Sequence, residues 1–287
     1  MPSPPSSVWI KVKAGSEEAL STARRVLRAF DKYGIAVYAD PFLASFLGIR
    51  DKVLREDMVS SVDMVVVVGG DGTLLRLFHA APEDLPPILG VNCDRIGFLF
   101  DYDWRFVEEL VAKIARGEFS IERRSVGKAS VKGINGYRFI SEVLFGGKMS
   151  YKMTRVEVYL DDEYLYGGRT DGLIVATTTG SSAHALSAGG PLIDPKLDVL
   201  VIVPLTPFSP ILKPVIVSPA RSVRVRVLED SSMVFDGIVS LHIPKGSTVD
   251  VGLIPGALKL VKVPGGHSLS CKLRSRLLDL PPWSIEC

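Results

Sequence analysis

The spacing of apolar residues changes period partway along the chain. In the first third, short apolar runs alternate with helical stripes. Val8 to Val12 reads as a strand, after which Ser16, Glu17 and Glu18 place a capping hydroxyl and two acids at the positive end of a helix. Ala19, Leu20, Ala23, Val26, Leu27 and Phe30 form its apolar stripe, and Gly34 ends it before a strand at Ile35 to Tyr38. Val65 to Val68 has no polar alternation, which predicts a strand buried on both faces. Leu74, Leu75, Leu77 and Phe78 return to helical spacing, Ile88 to Val91 is another short strand, and Asp103 opens a helix with the stripe Phe106, Val107, Leu110, Val111 and Ile114. Strands alternating with helices predict a mostly parallel sheet covered by helices.

From about residue 119 to 262 the period drops to two. Arg155 to Leu160 and Ser222 to Leu228 alternate as half-exposed strands do, and Ile134-Asn135-Gly136-Tyr137 and Phe235-Asp236-Gly237-Ile238 carry hairpin dipeptides. This stretch predicts two packed antiparallel sheets. Leu269 to Leu280 regains a helical pattern that Trp283 would anchor. The expected fold class is an α/β N-terminal domain with a mostly parallel sheet, residues 1–118, followed by a β-rich, two-sheet domain, residues 119–262, and a tail, residues 263–287.

The chemistry concentrates where the valine strand meets its helix, at Gly69-Gly70-Asp71-Gly72-Thr73. Glycines let the backbone approach a ligand, and the N–H groups at a helix start bind anionic oxygens. The Gly-Lys-Ser/Thr ending of a Walker A loop is absent, and the glycines are too close together for a dinucleotide fingerprint. An acid in a phosphate-handling turn makes sense if it holds Mg²⁺ or takes a proton from an attacking hydroxyl. The alternative is that Asp71 only caps the helix. A second cluster follows the buried run Leu173 to Ala176. Thr177, Thr178, Thr179, Ser181 and Ser182 surround Gly180, and a short helix starting near Ser182 stops at Gly189-Gly190. Such a loop offers hydrogen bonds to ribose or phosphate oxygens without bringing charge, unless its hydroxyls only cap their own helix. Two such loops in one chain favour a nucleotide site.

Composition narrows the partners. The chain has 287 residues, of which 47% are hydrophobic and 23% charged, so wholesale disorder is excluded and a sizeable core is available. A net charge of +2 without like-charge runs argues against nucleic acid as the main partner. Cys93, Cys271 and Cys287 fit no metal-ligand spacing and read as reduced thiols. Met1-Pro2-Ser3-Pro4-Pro5 does not read as a signal peptide. No uninterrupted apolar stretch reaches the roughly 18 residues of a membrane span, since the longest candidate, Val199 to Val217, is broken by Pro204, Pro207, Pro210 and Pro214. A cytoplasmic protein without membrane partners is expected. His79, His242 and His267 each stand without a second ligand, so zinc is not expected.

In order and spacing, Gly69-Gly70-Asp71-Gly72-Thr73, Gly90-Val91-Asn92 with Gly97-Phe98-Leu99, and Asp171-Gly172 through Gly190-Pro191 resemble the NAD kinases. The resemblance spans most of the chain, although either glycine motif alone would also suit diacylglycerol and sphingosine kinase relatives. It implies an active site between an α/β domain and a β-rich dinucleotide-binding domain, with the tail returning to the first. The implied reaction moves a phosphoryl group from ATP or polyphosphate to the adenosine 2′-hydroxyl of NAD, with Mg²⁺ or another divalent ion carried by the phosphates and no fixed protein ligands for it. Asp71 would be the general base, and Gly69, Gly70, Gly72 and Thr73 would line the transferring phosphate. The family's Asn-Glu pair, which holds adenosine, falls on Ser141 and Glu142. Asp171 would lie near the nicotinamide end, and Thr179, Ser181, Ser182, Ala183 and His184 around adenine and ribose. A homodimer or homotetramer is implied.

Four positions depart from the family. Ser141 stands for asparagine, His184 for tyrosine, Thr178 for a common proline and Asp94 for a common glycine. The first two fall on the acceptor grip, which keeps a second reading open: a kinase of the same superfamily acting on a polyol, sugar or lipid. A non-catalytic NAD(P) sensor is disfavoured, since a pure binder gains nothing from Asp71. Asp236-Gly237 matches an Asp-Gly that the family carries late in the chain, but a type I′ turn accounts for it. Arg95 is expected in a surface salt bridge, with a phosphate as the alternative partner.

Overall fold

The structure is a computed structural model that describes residues 2–94, 97–131, 134–147 and 152–278, with backbone only at 134, 135, 276 and 277. Arg95 and Trp283 lie outside the described residues. The chain forms two compact units, residues 1–123 with 259–287, and residues 124–258.

The first unit is built on parallel strands. β1 (Ser7–Val12), α1 (Glu17–Asp31), β2 (Ala36–Ala39), α2 (Pro41–Leu47), β3 (Met64–Gly69), α3 (Asp71–Ala80), β4 (Ile88–Asn92), β5 (Tyr102–Asp103) and α4 (Val107–Ala115) follow in sequence. β3 pairs with β1 on one side (Val8↔Met64 to Val12↔Val68) and with β4 on the other (Val65↔Ile88 to Gly69↔Asn92). β2 flanks β1, and β5 pairs with β4. All six residues of β3 are buried. Val66 and Val68 pack into one core with Ala23, Val26 and Phe30 of α1 and Leu110 and Ile114 of α4, so the continuous apolar run is explained by cover on that face and by α3 on the other. Burying each such valine is worth about 1.5–3 kcal/mol, so the strand is a rigid base for the turn that follows it.

The helix starts show the expected chemistry. Ser16 Oγ accepts from the Ala19 N–H at 3.2 Å. Asp103 caps as expected, accepting from the Arg105 N–H at 2.9 Å, but the chain first makes a 3-10 turn at Trp104–Phe106 and α4 proper begins at Val107. α2 was not foreseen.

The second unit contains β6 (Ser120–Val131, entering from the first unit), β7 (Ile134–Phe139), β8 (Glu142–Gly147), β9 (Thr154–Leu160), β10 (Glu163–Thr170), β11 (Gly172–Thr177), α5 (His184–Ser187), β12 (Leu200–Leu205), β13 (Val215–Val217), β14 (Val223–Val227), β15 (Ser231–Phe235) and β16 (Val239–Ile243). β17 (Thr248–Lys262) starts here and ends in the first unit, where α6 (Leu269–Leu278) also lies. One antiparallel sheet runs β13-β12-β11-β8-β15-β16, and β10-β9-β14-β17 form the other. Val143, Phe145, Val175, Ile202 and Phe235 from the first meet Val156, Val158, Val223, Val225 and Val251 from the second in one core. The α/β and two-sheet reading therefore holds.

Two expectations fail. Asn135-Gly136 lies inside β7, because Ile134 on one side of it and Tyr137 on the other already pair with Val131 and Ala129 of β6. Cys271 is disulfide-bonded, so it is not the reduced thiol expected, whereas Cys93 is free. Among the described residues, no helix is long and apolar enough to cross a membrane.

Candidate functional site

In the first unit the chemistry gathers where β3 becomes α3. Gly70 is the N-cap and Asp71 the first helical residue. The opening turn of a helix leaves N–H groups outside its own ladder, a donor set for anionic oxygens. Gly69, Gly70, Gly72 and Thr73 share this turn, with Gly72 exposed, Asp71 partly accessible and Thr73 buried. The Asp71 carboxylate is held from outside its helix. Oδ2 accepts the Phe98 N–H at 2.8 Å and Oδ1 the Leu99 N–H at 3.1 Å. A Cβ on Gly97 would stand 3.0 Å from Asp71 Oδ1, so any larger residue there would press on the carboxylate and glycine lets the Gly97–Leu99 backbone lie against it undisturbed. A carboxylate has about four lone-pair sites, and these bonds use two, leaving capacity for an incoming hydroxyl. Desolvation raises the Asp71 pKa, opposed by the two N–H donors and by the positive charge of Lys272.

Lys272 is a site residue that sequence reasoning missed. Its Nζ, on α6, donates to the Phe98 carbonyl at 2.9 Å and pairs with Asp101, which also pairs with Lys262. Burial pushes the Asp101 carboxyl up, yet the two ammonium groups outweigh it and hold the carboxyl below its ordinary value. The segment that orients Asp71 is thus braced by a buried charge cluster. Asp94, the departure from glycine, packs its carboxylate against Gly70 and pairs with Lys13 at the end of β1, so its charge beside the turn is compensated.

In the second unit the candidates group around the junction of β8 and β11. Ser141 and Glu142 are buried at the start of β8. The Ser141 carbonyl accepts the Thr177 N–H at 2.9 Å, and the Thr177 hydroxyl donates to the Ile140 carbonyl at 2.6 Å. Gly180 lies so close that a Cβ would overlap the Ser141 carbonyl, which requires glycine in the hydroxyl-rich loop. That loop is a 3-10 turn at Thr179–Ser182 followed by the short α5. Thr179, Ser181 and Ser182 are buried, Ala183 is half-buried and His184 is exposed. Part of the hydroxyl set serves the loop itself. Ser181 Oγ donates to the Thr178 carbonyl at 2.7 Å and accepts the Ile193 N–H at 3.1 Å, and Ser182 Oγ donates to the Thr179 carbonyl at 3.2 Å. Thr178, where the family commonly has proline, ties the loop to Leu197 and Val199. Asp171 is not part of this group. It is exposed and precedes β11, about 20 Å along the strand from Thr177.

Glu142 is the electrostatic anomaly of this unit. Its Oε2 is buried without a hydrogen-bond partner among the described residues. Burial first, and then the negative charge of Asp236, push its pKa up to about 7. An orphaned buried carboxyl oxygen is costly unless a ligand completes it. Among the described residues, no group of three or more His, Cys, Asp or Glu side chains is placed to hold a metal ion.

Comparison with known proteins identifies the family of both units. The ATP-NAD kinase N-terminal domain profile matches residues 8–119 and the ATP-NAD kinase C-terminal domain profile residues 141–263. An NAD kinase of Methanopyrus kandleri is 33% identical over 260 residues, covering 90% of this chain and 93% of its own. One from Marinomonas sp. is 32% identical over 282 residues, covering 94% and 95%. Among solved structures, an NAD kinase from Archaeoglobus fulgidus in complex with ATP superposes with a TM-score of 0.76 at 26% identity, covering 94% of this chain and 99% of that one. Yeast NADH kinase complexed with NADH shares the fold, with a TM-score of 0.84 at 20% identity over 95% and 86% of the two chains. The fold and its two loops define a phosphotransferase with an alcohol group as acceptor. The chain belongs to the NAD kinase family. The alternative of a polyol, sugar or lipid acceptor, kept open by Ser141 and His184, finds no support in these relatives.

Proposed function

We propose that the protein phosphorylates NAD at the adenosine 2′-hydroxyl to give NADP, with ATP as donor and Asp71 as general base. The observation that carries this reading is the family match across both units, together with an Asp71 carboxylate oriented by two backbone N–H groups and retaining acceptor capacity. Gly69, Gly70, Gly72, Thr73 and the first N–H groups of α3 would hold the transferring phosphate. Asp71 would take the hydroxyl proton as the oxygen attacks the γ-phosphorus and the bond to the β-phosphate oxygen breaks, releasing ADP. The ATP complex of the Archaeoglobus kinase supports ATP over polyphosphate. Asp94, the other carboxylate beside the turn, is paired with Lys13 and the free capacity of Asp71 is taken by the attacking hydroxyl, so these residues suit a divalent ion arriving on the donor's phosphates rather than a protein-held one. Mg²⁺ so carried would neutralise charge developing on the phosphate oxygens.

Ser141 and Glu142 would hold the adenosine part of NAD. Thr179, Ser181, Ser182, Ala183 and His184 would border it, and Asp171 would lie toward the nicotinamide end. A homo-oligomer is proposed too, supported by Phe208, Ile211 and Ile216, large apolar side chains left exposed on the second unit. Light scattering of the purified protein tests this, and a monomeric mass at micromolar concentration would refute it.

The test of the activity is NADP formation from NAD, Mg²⁺ and either ATP or polyphosphate. Turnover with ATP is expected, and folded protein that makes no NADP from either donor would sink the reading. The Glu142 carboxyl adds a pH signature. With its pKa at about 7, it is neutral at pH 6 and charged at pH 8. Only the charged form accepts two ribose hydroxyls without competing as a donor. KM for NAD is therefore expected to fall as pH rises through 7, while KM for ATP does not follow. A flat NAD profile between pH 6 and 8 would count against Glu142 as the ribose acceptor.

A further inference from the structure

Asp236 is the first residue of the turn between β15 and β16. It and Gly237 both have positive φ, +51° and +68°, as a type I′ turn requires. Most aspartates in such turns project into water, but this one is 7% exposed. Its Oδ2 accepts the Ile140 N–H at 2.9 Å, and its Oδ1 accepts the N–H groups of Ser141 at 2.7 Å and Glu142 at 3.1 Å. Its own N–H donates to the Glu142 carbonyl at 2.9 Å. Three successive peptides are therefore gathered on one carboxylate, just where the chain enters β8. From the other side Thr177 holds the Ile140 and Ser141 carbonyls. The turn alone asks for none of this, since asparagine or glycine satisfies the same backbone.

We propose that Asp236 is a positioning residue for NAD, which fixes the Ser141–Glu142 peptides, and through them the Glu142 carboxylate, in the geometry that receives the adenosine ribose. The assignment rests on Glu142 belonging to the NAD site. A carboxylate at this point does two things together. Charge-assisted bonds to three N–H groups pin the backbone more firmly than neutral acceptors would. Its negative charge also stands close enough to Glu142 to disfavour a second charge there until ribose hydroxyls arrive to share it. Asp236 touches no reacting atom in this account, so its removal should alter binding of NAD and leave the chemical step alone.

The experiment measures steady-state kinetics of the full chain for Asp236→Asn, Asp236→Glu and Glu142→Ala, each across pH 5.5 to 8.5. Asparagine keeps the shape but turns an amide NH₂ toward a backbone donor and removes the charge. KM for NAD is expected to rise about tenfold to a hundredfold, the scale of one or two lost charge-assisted bonds. kcat and KM for ATP should stay within about threefold, since the site in the first unit is untouched. The limb of the NAD profile should move to lower pH in Asp236→Asn, because the charge that raises the Glu142 pKa is gone. In Asp236→Glu the charge survives, so the limb should stay while KM rises. A merely structural role would instead lower kcat and raise both KM values together, with the limb unmoved, and that result would overturn the proposal. It is equally overturned if Asp236→Asn keeps the wild-type KM for NAD while Glu142→Ala raises it. If Glu142→Ala itself binds NAD normally, the NAD-site reading has failed and the proposal falls with it. Should Asp236→Asn not fold, Asp236→Glu carries the decision through its KM for NAD against kcat.

Discussion

Replacing Asp71 by asparagine is expected to lower kcat for NADP formation by about 10²–10⁴-fold, the contribution of a positioned general base. Asn is nearly isosteric and cannot accept the hydroxyl proton. The two N–H donors make the expectation more specific. Phe98 and Leu99 each point at a different carboxylate oxygen, so one of them must face the NH₂ of the amide, whichever way it is placed. That lost bond costs about 1–3 kcal/mol of stability. The variant should therefore be somewhat less stable yet folded, and should still bind NAD and ATP in calorimetric titrations. The base also predicts a pH limb. Desolvation raises the Asp71 pKa, opposed by the two N–H groups and Lys272, so wild-type kcat should fall toward acid pH along a limb above the ordinary carboxylate value. Asp71→Asn should lack this limb. A variant retaining more than about a third of wild-type kcat would remove Asp71 from the proton transfer and leave its carboxylate only the task of anchoring the Phe98 and Leu99 peptides.

What the sequence disclosed depended on whether a residue's role was local. The β3–turn–α3 unit was legible because four valines, three glycines and a helical stripe each follow local rules that agree with one another. The two antiparallel sheets announced themselves in the same way, through period-two runs such as Val223 to Val227. α2 was legible in principle, with Asp40 as its cap, Pro41 at its start and Gly48 in the left-handed conformation after its end, but its seven residues hold too few apolar repeats to stand out. Asn135-Gly136 misled because sheet register overrides a turn dipeptide when the partner strand fixes the pairing one step earlier.

The site residues that stayed hidden act at long range. Asp236 satisfies a turn on its own account, and nothing nearby in sequence says that three N–H groups 94 to 96 positions upstream will bind it. Lys272 sits in Leu-Ser-Cys-Lys-Leu-Arg-Ser-Arg, where a lysine reads as part of a solvated helix face. Only the fold brings Asp101 and the Phe98 carbonyl to it. The second unit's hydroxyls do gather in one loop, but the division of labour among them was not visible, since Ser181 mainly secures its own loop.

Lys272→Met carries the second large effect. Removing one partner of a buried ion pair typically costs 3–5 kcal/mol, because the other charge is left uncompensated. Asp101 keeps Lys262 here, so the loss in denaturant unfolding should lie at the lower end, about 3 kcal/mol. Methionine fills most of the lysine's volume, so little of this comes from a cavity. The kinetic consequence follows from the bond to Phe98. Without the ammonium, the Phe98 carbonyl loses its donor and the peptides that orient Asp71 are free to shift. A small displacement of a catalytic group reduces rate steeply, and kcat should drop on the order of tenfold to a hundredfold, with KM for NAD little changed. Lys262→Met separates the two effects. It also weakens the charge cluster around Asp101, yet it leaves the Lys272 bond to Phe98 intact, so stability should fall while kcat holds. If both variants lose stability and neither loses kcat, α6 secures the first unit without tuning the base, and the orientation of Asp71 must be set by Gly97–Leu99 alone.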